Sequence, residues 1–311
     1  MKSVFEKSLQ LKDNESCLIV TDSNKRAIAE AFYSYAKQKV KDKARLLEIP
    51  VGSHHGEDPP SEVVVQMLLY DVELLITTFS LSHTTARRNA SKNGIRIASM
   101  PDITEEIINR CLDIDYIALK KRCEKIHGIL SRCSQVQVTT DLGTDMMFTR
   151  GTNSIYGQKG ALLDEYGAFG NLPDGEVCFW PSWSEGVCFI DASMAGIGKL
   201  DKPLKVIVRD SQAVSITGKH AARLKALLDG IGPAAYAIAE LGIGQNDKAV
   251  ITGNILEDEK VMGTAHIAFG NNLSFGGKND VPLHLDGVIK NARIFADGEE
   301  ISTEGKKARK K

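Results

Sequence analysis

The chain has 311 residues, of which 42% are hydrophobic and 25% charged, and its formal net charge is −1. These values are typical of a folded globular protein with one large domain or two of ordinary size. They argue against nucleic acid as a partner, because no basic stretch with interleaved aromatic residues is present. No run of eighteen apolar residues and no apolar leader occurs, so we expect a cytoplasmic protein with no membrane partner.

The first half of the chain alternates short apolar runs with helical patterns. Strands are predicted at 17–22, 44–51, 72–79 and 95–100, and helices at 25–40, 61–71, 82–94 and 102–113. The last helix has a possible cap at Asp102 or Thr104. The alternation predicts an N-terminal Rossmann-like α/β domain with a parallel sheet over residues 1–132. No G-x-G-x-x-G motif follows the first strand, so dinucleotide binding has no support.

The second half, residues 133–311, changes to short β-rich segments separated by Gly, Asp and Pro turns. Strands are predicted at 135–141, 144–150, 175–181, 186–193, 203–210, 212–218, 249–254, 264–269, 283–289 and 292–301. One long helix over 220–242 interrupts them, with Gly230, Gly232 and Pro233 marking a break or kink. The pattern predicts a mainly antiparallel, β-rich α+β domain that ends in a solvated basic tail at about 304–311.

The segment "PLHLDG" places His284 and Asp286 two residues apart in a predicted strand. Residues i and i+2 of a strand point to the same face, so the imidazole and the carboxylate share one side while Leu283 and Leu285 share the other. A neutral imidazole and a carboxylate on one face are suitable ligands for a divalent metal. If that face met bulk water instead, the pair would have no such role.

Further acidic and imidazole residues lie among apolar neighbours in the same half. Glu176 follows a Pro-Asp-Gly turn, Glu259 lies in "ILEDEKVMG", and His266 lies in the apolar strand "TAHIAFG". Glu240 is expected at a helix C-terminus, where it opposes the helix dipole and needs a positive partner. Each residue alone could be an ordinary core or surface group. Together they have the composition of a metal site, since buried carboxylates without a cation are costly.

Four blocks of the second half, taken in order, resemble the M29 family of metal-dependent aminopeptidases of the aminopeptidase T type. They are "GAFGNLPDGEV", "AELGIGQN", "GNILEDEKVMGTAHIAFG" and "GGKND…LHLDG", and "SLSHTTARRNASKNGIRIASMPDITEE" resembles the N-terminal domain of the same family. The resemblance implies a homodimer that hydrolyses N-terminal residues from small peptides with two divalent metals, zinc or cobalt. The metal ligands that it implies are Glu176, Glu240, His266, His284 and Asp286. Glu176 and Glu259 are the implied catalytic carboxylates.

Two observations keep other functions open. The peptidases have a tyrosine shortly after the histidine matched by His266, whereas the segment "IAFGNNLSFGG" has Leu273 and Phe275. The dihydroxypyridine ring-cleaving dioxygenases also look similar, and in them one Fe(II) is bound by a His and a later H-x-D. His266, His284 and Asp286 satisfy that pattern, which does not need Glu176 or Glu240. A third alternative is a binding protein that kept the fold without turnover.

Overall fold

The computed structural model describes residues 1–301 and divides the chain into two compact units. Unit 1 contains Met1–Ala118 and Ala161–Asp174, and unit 2 contains Leu119–Gly160 and the chain from Gly175 onward. The chain thus crosses between the units three times, whereas the sequence predicts one boundary between 132 and 133. That boundary stays a prediction about independently folding domains, and the basic tail predicted at about 304–311 lies outside the described residues.

Unit 1 is built on a five-stranded parallel sheet in the order β2-β1-β3-β4-β8. Its strands are β1 Cys17–Asp22, β2 Ala44–Ile49, β3 Val72–Ile76, β4 Arg96–Ser99 and β8 Phe169–Asn171. Its helices are α1 Arg26–Val40, α2 Ser61–Met67, α3 Thr85–Lys92 and α4 Glu105–Cys111. Short helical turns occur at Val4–Ser8 and Lys41–Lys43. The α/β class with a parallel sheet predicted for this half is confirmed.

The elements of unit 1 form for local reasons that the sequence displays. Every residue of β1 is buried, as expected for a central parallel strand, and α1 buries an apolar stripe that includes Phe32. Helix α4 begins after Thr104, whose side chain accepts a hydrogen bond from the Ile107 N–H. Thr104 is therefore the cap, because Asp102 has a positive φ of 51° and precedes the helix.

Unit 2 contains two seven-stranded sheets in which all strand pairs are antiparallel. The first sheet has β5 Gln135–Thr139, β6 Asp145–Thr149, β10 Trp183–Ile190, β13 Leu204–Arg209, β14 Gln212–Thr217, β18 Arg293–Ala296 and β19 Glu299–Ile301. The second has β7 Ile155–Tyr156, β9 Glu176–Phe179, β11 Ser193–Met194, β12 Gly198–Lys199, β15 Ile238–Gly244, β16 Ala265–Gly270 and β17 His284–Ile289. The predicted β-rich second half is confirmed.

Within residues 1–301, unit 2 has three helices. They are α5 Tyr116–Leu130, which begins in unit 1, α6 Ala221–Asp229 and α7 Ile255–Asp258, with 3-10 turns at Pro233–Tyr236 and Leu273–Phe275. Across residues 1–301, no helix has the length and apolarity needed to cross a bilayer.

The single long helix predicted over 220–242 is wrong. Helix α6 ends at Asp229, Pro233 opens a 3-10 turn, and the following apolar run is strand β15. All seven residues of β15 are buried, and the strand pairs with β9 on one side and β16 on the other. A strand buried on both faces reads as a continuous apolar run, which periodicity alone cannot distinguish from a buried helix.

The strand predicted at 249–254 is also wrong. Its backbone N–H groups bond to carboxylates instead of a neighbouring strand: Val250 donates to Glu257 at 3.0 Å, and Thr252 and Gly253 donate to Asp258 at 2.7 and 2.8 Å. These bonds fold the loop against α7, which follows it directly.

Candidate metal centre

The predicted site residues come together on the second sheet of unit 2. Strands β17, β16, β15 and β9 are neighbours in that order, and they carry His284 with Asp286, His266, Glu240 and Glu176 respectively. Glu259 directly follows helix α7. Segments separated by more than 100 residues therefore place their polar side chains in one cluster, while most of the surrounding strand residues are buried and apolar.

The "HLD" segment has the geometry that strand alternation predicts. Nε2 of His284 lies 3.3 Å from Oδ1 of Asp286, so both side chains share a face. Nδ1 of His284 lies 2.8 Å from the backbone oxygen of Asn271 and donates to it, since a carbonyl can only accept. Nε2 is then the nitrogen available to a metal, with its orientation fixed by the backbone.

His266 enters the same cluster from the neighbouring strand. Its Nε2 lies 3.3 Å from Oε2 of Glu176 and 3.4 Å from Oε1 of Glu240, and its ring is 1% exposed. Its Nδ1 is buried without a hydrogen bond. The ring lies across the strand pair opposite Gly242, where a Cβ atom would come within 2.1 Å of it. Glycine at position 242 is therefore required for this ring orientation.

Glu240 lies between the two imidazoles, with Oε2 3.1 Å from Nε2 of His284 and Oε1 3.4 Å from Nε2 of His266. Glu240 is a strand residue and opposes no helix dipole, yet the positive partners that it was expected to need are present. Burial raises the pKa of Glu240, but hydrogen bonds with both histidines outweigh burial and hold it below its usual value.

Both histidines have a raised pKa. Burial acts to lower the pKa of His266, but its hydrogen bond with Glu240 and the nearby carboxylates raise it to about 9. The pKa of His284 is likewise raised by Asp286 and Glu240 against the effect of burial. Protonated imidazoles thus balance the carboxylates in this arrangement, which indicates that the cluster requires positive charge.

Lys260 is a further member of the cluster and was not among the residues predicted from the sequence. Its ammonium lies 2.5 Å from Oε1 of Glu176 and 2.5 Å from Oε1 of Glu259, and its side chain is 1% exposed. Burial raises the pKa of Glu259 to about 8, with Glu176 and Asp286 adding to this rise and Lys260 opposing it. The only signal in the sequence was a lysine beside an acidic pair, which ordinarily indicates a solvated surface.

Three sets of side chains offer ligand atoms that all lie within 4.8 Å of one another. They are Glu176, Glu240 and His266; Glu240, His284 and Asp286; and Glu259, His266 and Asp286. The donors are carboxylate oxygens and imidazole nitrogens, and Oε2 of Glu176 makes no hydrogen bond. This donor set suits a divalent metal ion, and the binding role of each individual residue stays a prediction.

Aromatic rings border the cluster on one side. The Phe275 ring is stacked on the His284 imidazole with a centroid distance of 5.9 Å and an interplanar angle of 28°. The Tyr156 ring meets Phe275 edge-on at 5.4 Å. Phe275 comes from the segment in which the peptidases have a tyrosine, and Tyr156 comes from β7, far away in the sequence.

Comparison with known proteins gives matches over nearly the whole chain. The family model described as NicX, 2,5-dihydroxypyridine 5,6-dioxygenase, matches residues 1–309. The 2,5-dihydroxypyridine 5,6-dioxygenase of Pseudomonas putida KT2440 is 24% identical over 303 residues, covering 87% of this chain and 84% of that protein. The solved structure of 2,5-dihydroxypyridine dioxygenase from P. putida KT2440 has a TM-score of 0.84 at 20% identity, covering 96% of this chain and 93% of that chain.

The solved structure of wild-type AmpT from Thermus thermophilus is similar over 96% of this chain and 95% of that chain, with a TM-score of 0.68 at 16% identity. At that identity the likeness shows a shared fold and nothing about activity. Assignment to the M29 aminopeptidases is therefore wrong, and so is the prediction of an exopeptidase, a hydrolase, because the family model and the curated relative are both dioxygenases. The chain belongs to the 2,5-dihydroxypyridine 5,6-dioxygenase (NicX) family.

Proposed function

We propose that this protein is an Fe(II)-dependent dioxygenase that opens the ring of a dihydroxylated pyridine, with 2,5-dihydroxypyridine as the first substrate to test. The observation that carries the proposal is the convergence of two imidazole Nε2 atoms on a carboxylate cluster, in a chain whose family is described by this reaction. Two histidines and one carboxylate with open positions form the ligand set of non-haem Fe(II) oxygenases.

The ligands that we assign to a single iron are His266, His284 and Asp286. Nε2 of His284 faces Asp286 because Nδ1 is engaged with the backbone, and ligand atoms of His266 and Asp286 lie within 4.8 Å of each other. Glu240 lies beside the same Nε2 atoms, and its carboxylate would supply negative charge next to the ion. This assignment replaces the pair of zinc or cobalt ions that the peptidase resemblance implied.

When bound, the iron would supply the redox chemistry with dioxygen, and the protein would bind and orient the ring. Phe275, stacked beside His284, offers an apolar face against which a flat heterocycle can pack. A hydroxypyridine that binds to a metal cation in its anionic form must first lose the proton of a hydroxyl group. Glu259, which shares a ligand set with His266 and Asp286, is the group that we assign to accept it in its ionised form, and Glu176 fixes the neighbouring Lys260.

The experiment is anaerobic loading of the purified protein with Fe(II), elemental analysis, and oxygen uptake with 2,5-dihydroxypyridine followed by loss of ring absorbance. We expect one iron per chain and one O₂ consumed per ring opened. Metal-loaded protein that consumes no oxygen with this substrate would contradict the assigned substrate. Absence of turnover with a panel of dihydroxylated heterocycles would favour a binding protein on the same fold. The homodimer and the cytoplasmic location stay predictions.

A further inference from the structure

Lys260 is unusual for a lysine because its whole side chain is buried. Among residues 1–301 no other lysine is buried, and Lys260 ranks with the phenylalanines as one of the largest fully buried side chains. An ammonium group is costly to remove from water unless charged partners replace its lost hydration. Its partners are Glu176 and Glu259, each at 2.5 Å.

The position of the ammonium is that of a cation bridging two carboxylates. Glu176 reaches it from strand β9 and Glu259 from the end of α7, and each carboxylate also belongs to a set of possible metal ligands that includes His266. Without Lys260, these two carboxylates would be suitable ligands for a second divalent ion beside the one at His266. Lys260 gives the same place a positive charge that is part of the chain.

The backbone around Lys260 is fixed, so the ammonium cannot easily withdraw. The Lys260 N–H donates to the carbonyl of Glu257 at 3.0 Å, and its carbonyl accepts from the Asn246 N–H at 2.8 Å. Strand β15 approaches this turn closely at Gly244, where a Cβ atom would lie 2.1 Å from the carbonyl oxygen of Val261 and 2.9 Å from the carbonyl carbon of Lys260. Substitution at position 244 would therefore push the turn away.

We infer that Lys260 takes the place of a second divalent ion: its ammonium, held between Glu176 and Glu259, limits the centre to one metal. The inference rests on the proposed function in that it assumes one ion at His266, His284 and Asp286. It explains why a centre for one iron keeps Glu176 and Glu259, which the iron does not need. It also means that Lys260 determines whether the centre holds one ion or two.

The test counts bound ions in full-length protein equilibrated with excess Zn²⁺ or Mn²⁺, by elemental analysis after gel filtration and by titration calorimetry. Lys260→Met removes the charge at nearly constant volume, and we expect two ions per chain in this variant against one in the wild type. Lys260→Arg keeps a positive charge and should bind one ion. Lys248→Met, at an exposed lysine of the same unit, is the matched control and should also bind one.

If Lys260→Met does not fold without metal, the protein is refolded with and without Zn²⁺ and followed by circular dichroism. The inference expects Zn²⁺ to restore the fold with two ions per chain, because the ion replaces the ammonium. A folded Lys260→Met variant with a single ion, an unfolded one that Zn²⁺ does not restore, or a wild type with two ions would each overturn it. Ion counts do not depend on catalysis. If the wild type binds one ion but cleaves no ring, the proposed function is rejected and this inference stands.

Discussion

Gly242 lies opposite His266 in the antiparallel pair of β15 and β16, and a Cβ atom on Gly242 would lie 2.1 Å from Nε2 of His266. A glycine at this point is thus part of the metal centre although it supplies no ligand. We expect Gly242→Ala to rotate the His266 ring away from Glu240 and to weaken metal binding at least roughly tenfold, the usual effect of disturbing a ligand's orientation. Calorimetric titration of both proteins with Zn²⁺ measures the change in metal affinity.

Gly128→Ala is the matched control for this substitution. Gly128 lies within α5, where an added Cβ meets nothing closer than 3.8 Å, and alanine is the better helix former. This variant should bind metal as the wild type does. Unchanged affinity in Gly242→Ala would show that the His266 ring is not held in the orientation described above.

His284→Ala should remove most of the bound metal while the fold is kept. The imidazole supplies one of three assigned ligands, whereas β17 is held by hydrogen bonds to β16 and β11 on its two sides. We expect a loss in affinity of at least roughly a hundredfold, since no other side chain can supply that nitrogen. Elemental analysis and circular dichroism check the two halves of the prediction. His127→Ala, in α5, should retain full metal, and a fully loaded His284→Ala protein would remove His284 from the ligand set.

Phe275→Leu should weaken substrate binding without loss of iron. The Phe275 ring beside His284 is the face that we assign to the substrate, and loss of an aromatic pair costs about 0.5–1.5 kcal/mol, or roughly two- to thirteenfold in KM for an aromatic substrate. Steady-state oxygen uptake at varied 2,5-dihydroxypyridine measures it. Tyr156→Phe keeps the ring that meets Phe275 and serves as the control. A lower kcat at constant KM would contradict a packing role for Phe275.

Glu176→Gln should lower turnover more than it lowers folding stability. Glutamine keeps the volume of Glu176 but removes its negative charge, so the Lys260 ammonium shifts toward Glu259. A misplacement of about 1 Å at a reacting centre costs roughly a hundredfold in kcat. Oxygen uptake and thermal unfolding are compared with Glu185→Gln, a half-buried carboxylate on β10. Turnover equal to the wild type would place Glu176 outside the working site.

The sequence predicts β1 to β4 of unit 1 and the "HLD" pair because their signals lie within a few neighbouring residues, whereas the short strand β8 is not predicted. Strand β1 is buried at all six positions, and His284 and Asp286 share a face through alternation alone. Glu240 is different, since "AAYAIAELG" has an apolar run compatible with helix or strand. Pairing with β9 and β16, which lie elsewhere in the sequence, decides in favour of a strand.

Lys260 marks the same limit for the site. A lysine next to acidic residues normally faces water, and its burial depends on Glu176, which lies 84 residues away. The sequence also does not show why residue 242 must be glycine, because that requirement comes from the His266 ring on the neighbouring strand. Ligand types could thus be predicted from motifs, whereas the counter-charge and the space for the ligands follow from tertiary contacts.

A buried carboxyl in unit 1 predicts how stability depends on pH. Glu73 lies in β3 between Leu18 and Ile97 of the neighbouring strands, is fully buried, and makes no hydrogen bond through either oxygen. Burial raises its pKa well above the usual value, so the carboxyl keeps its proton in the folded protein. The unfolded chain releases that proton near the ordinary glutamate pKa, so the contribution of Glu73 to stability falls as pH rises from there to the raised folded value.

Glu73→Gln removes this titration with little change in shape. We expect the variant to match the wild type near about pH 5 and to exceed it at about pH 8, by roughly 1.4 kcal/mol for each unit by which the folded pKa is raised within that interval. Hydrogen exchange of peptides covering β3, with variant and wild type compared at the same pH, reports the difference. Glu299→Gln, at an exposed glutamate, is the control. A gap between Glu73→Gln and wild type that does not widen with pH would mean that Glu73 is ionised in the folded protein, with a partner for its charge.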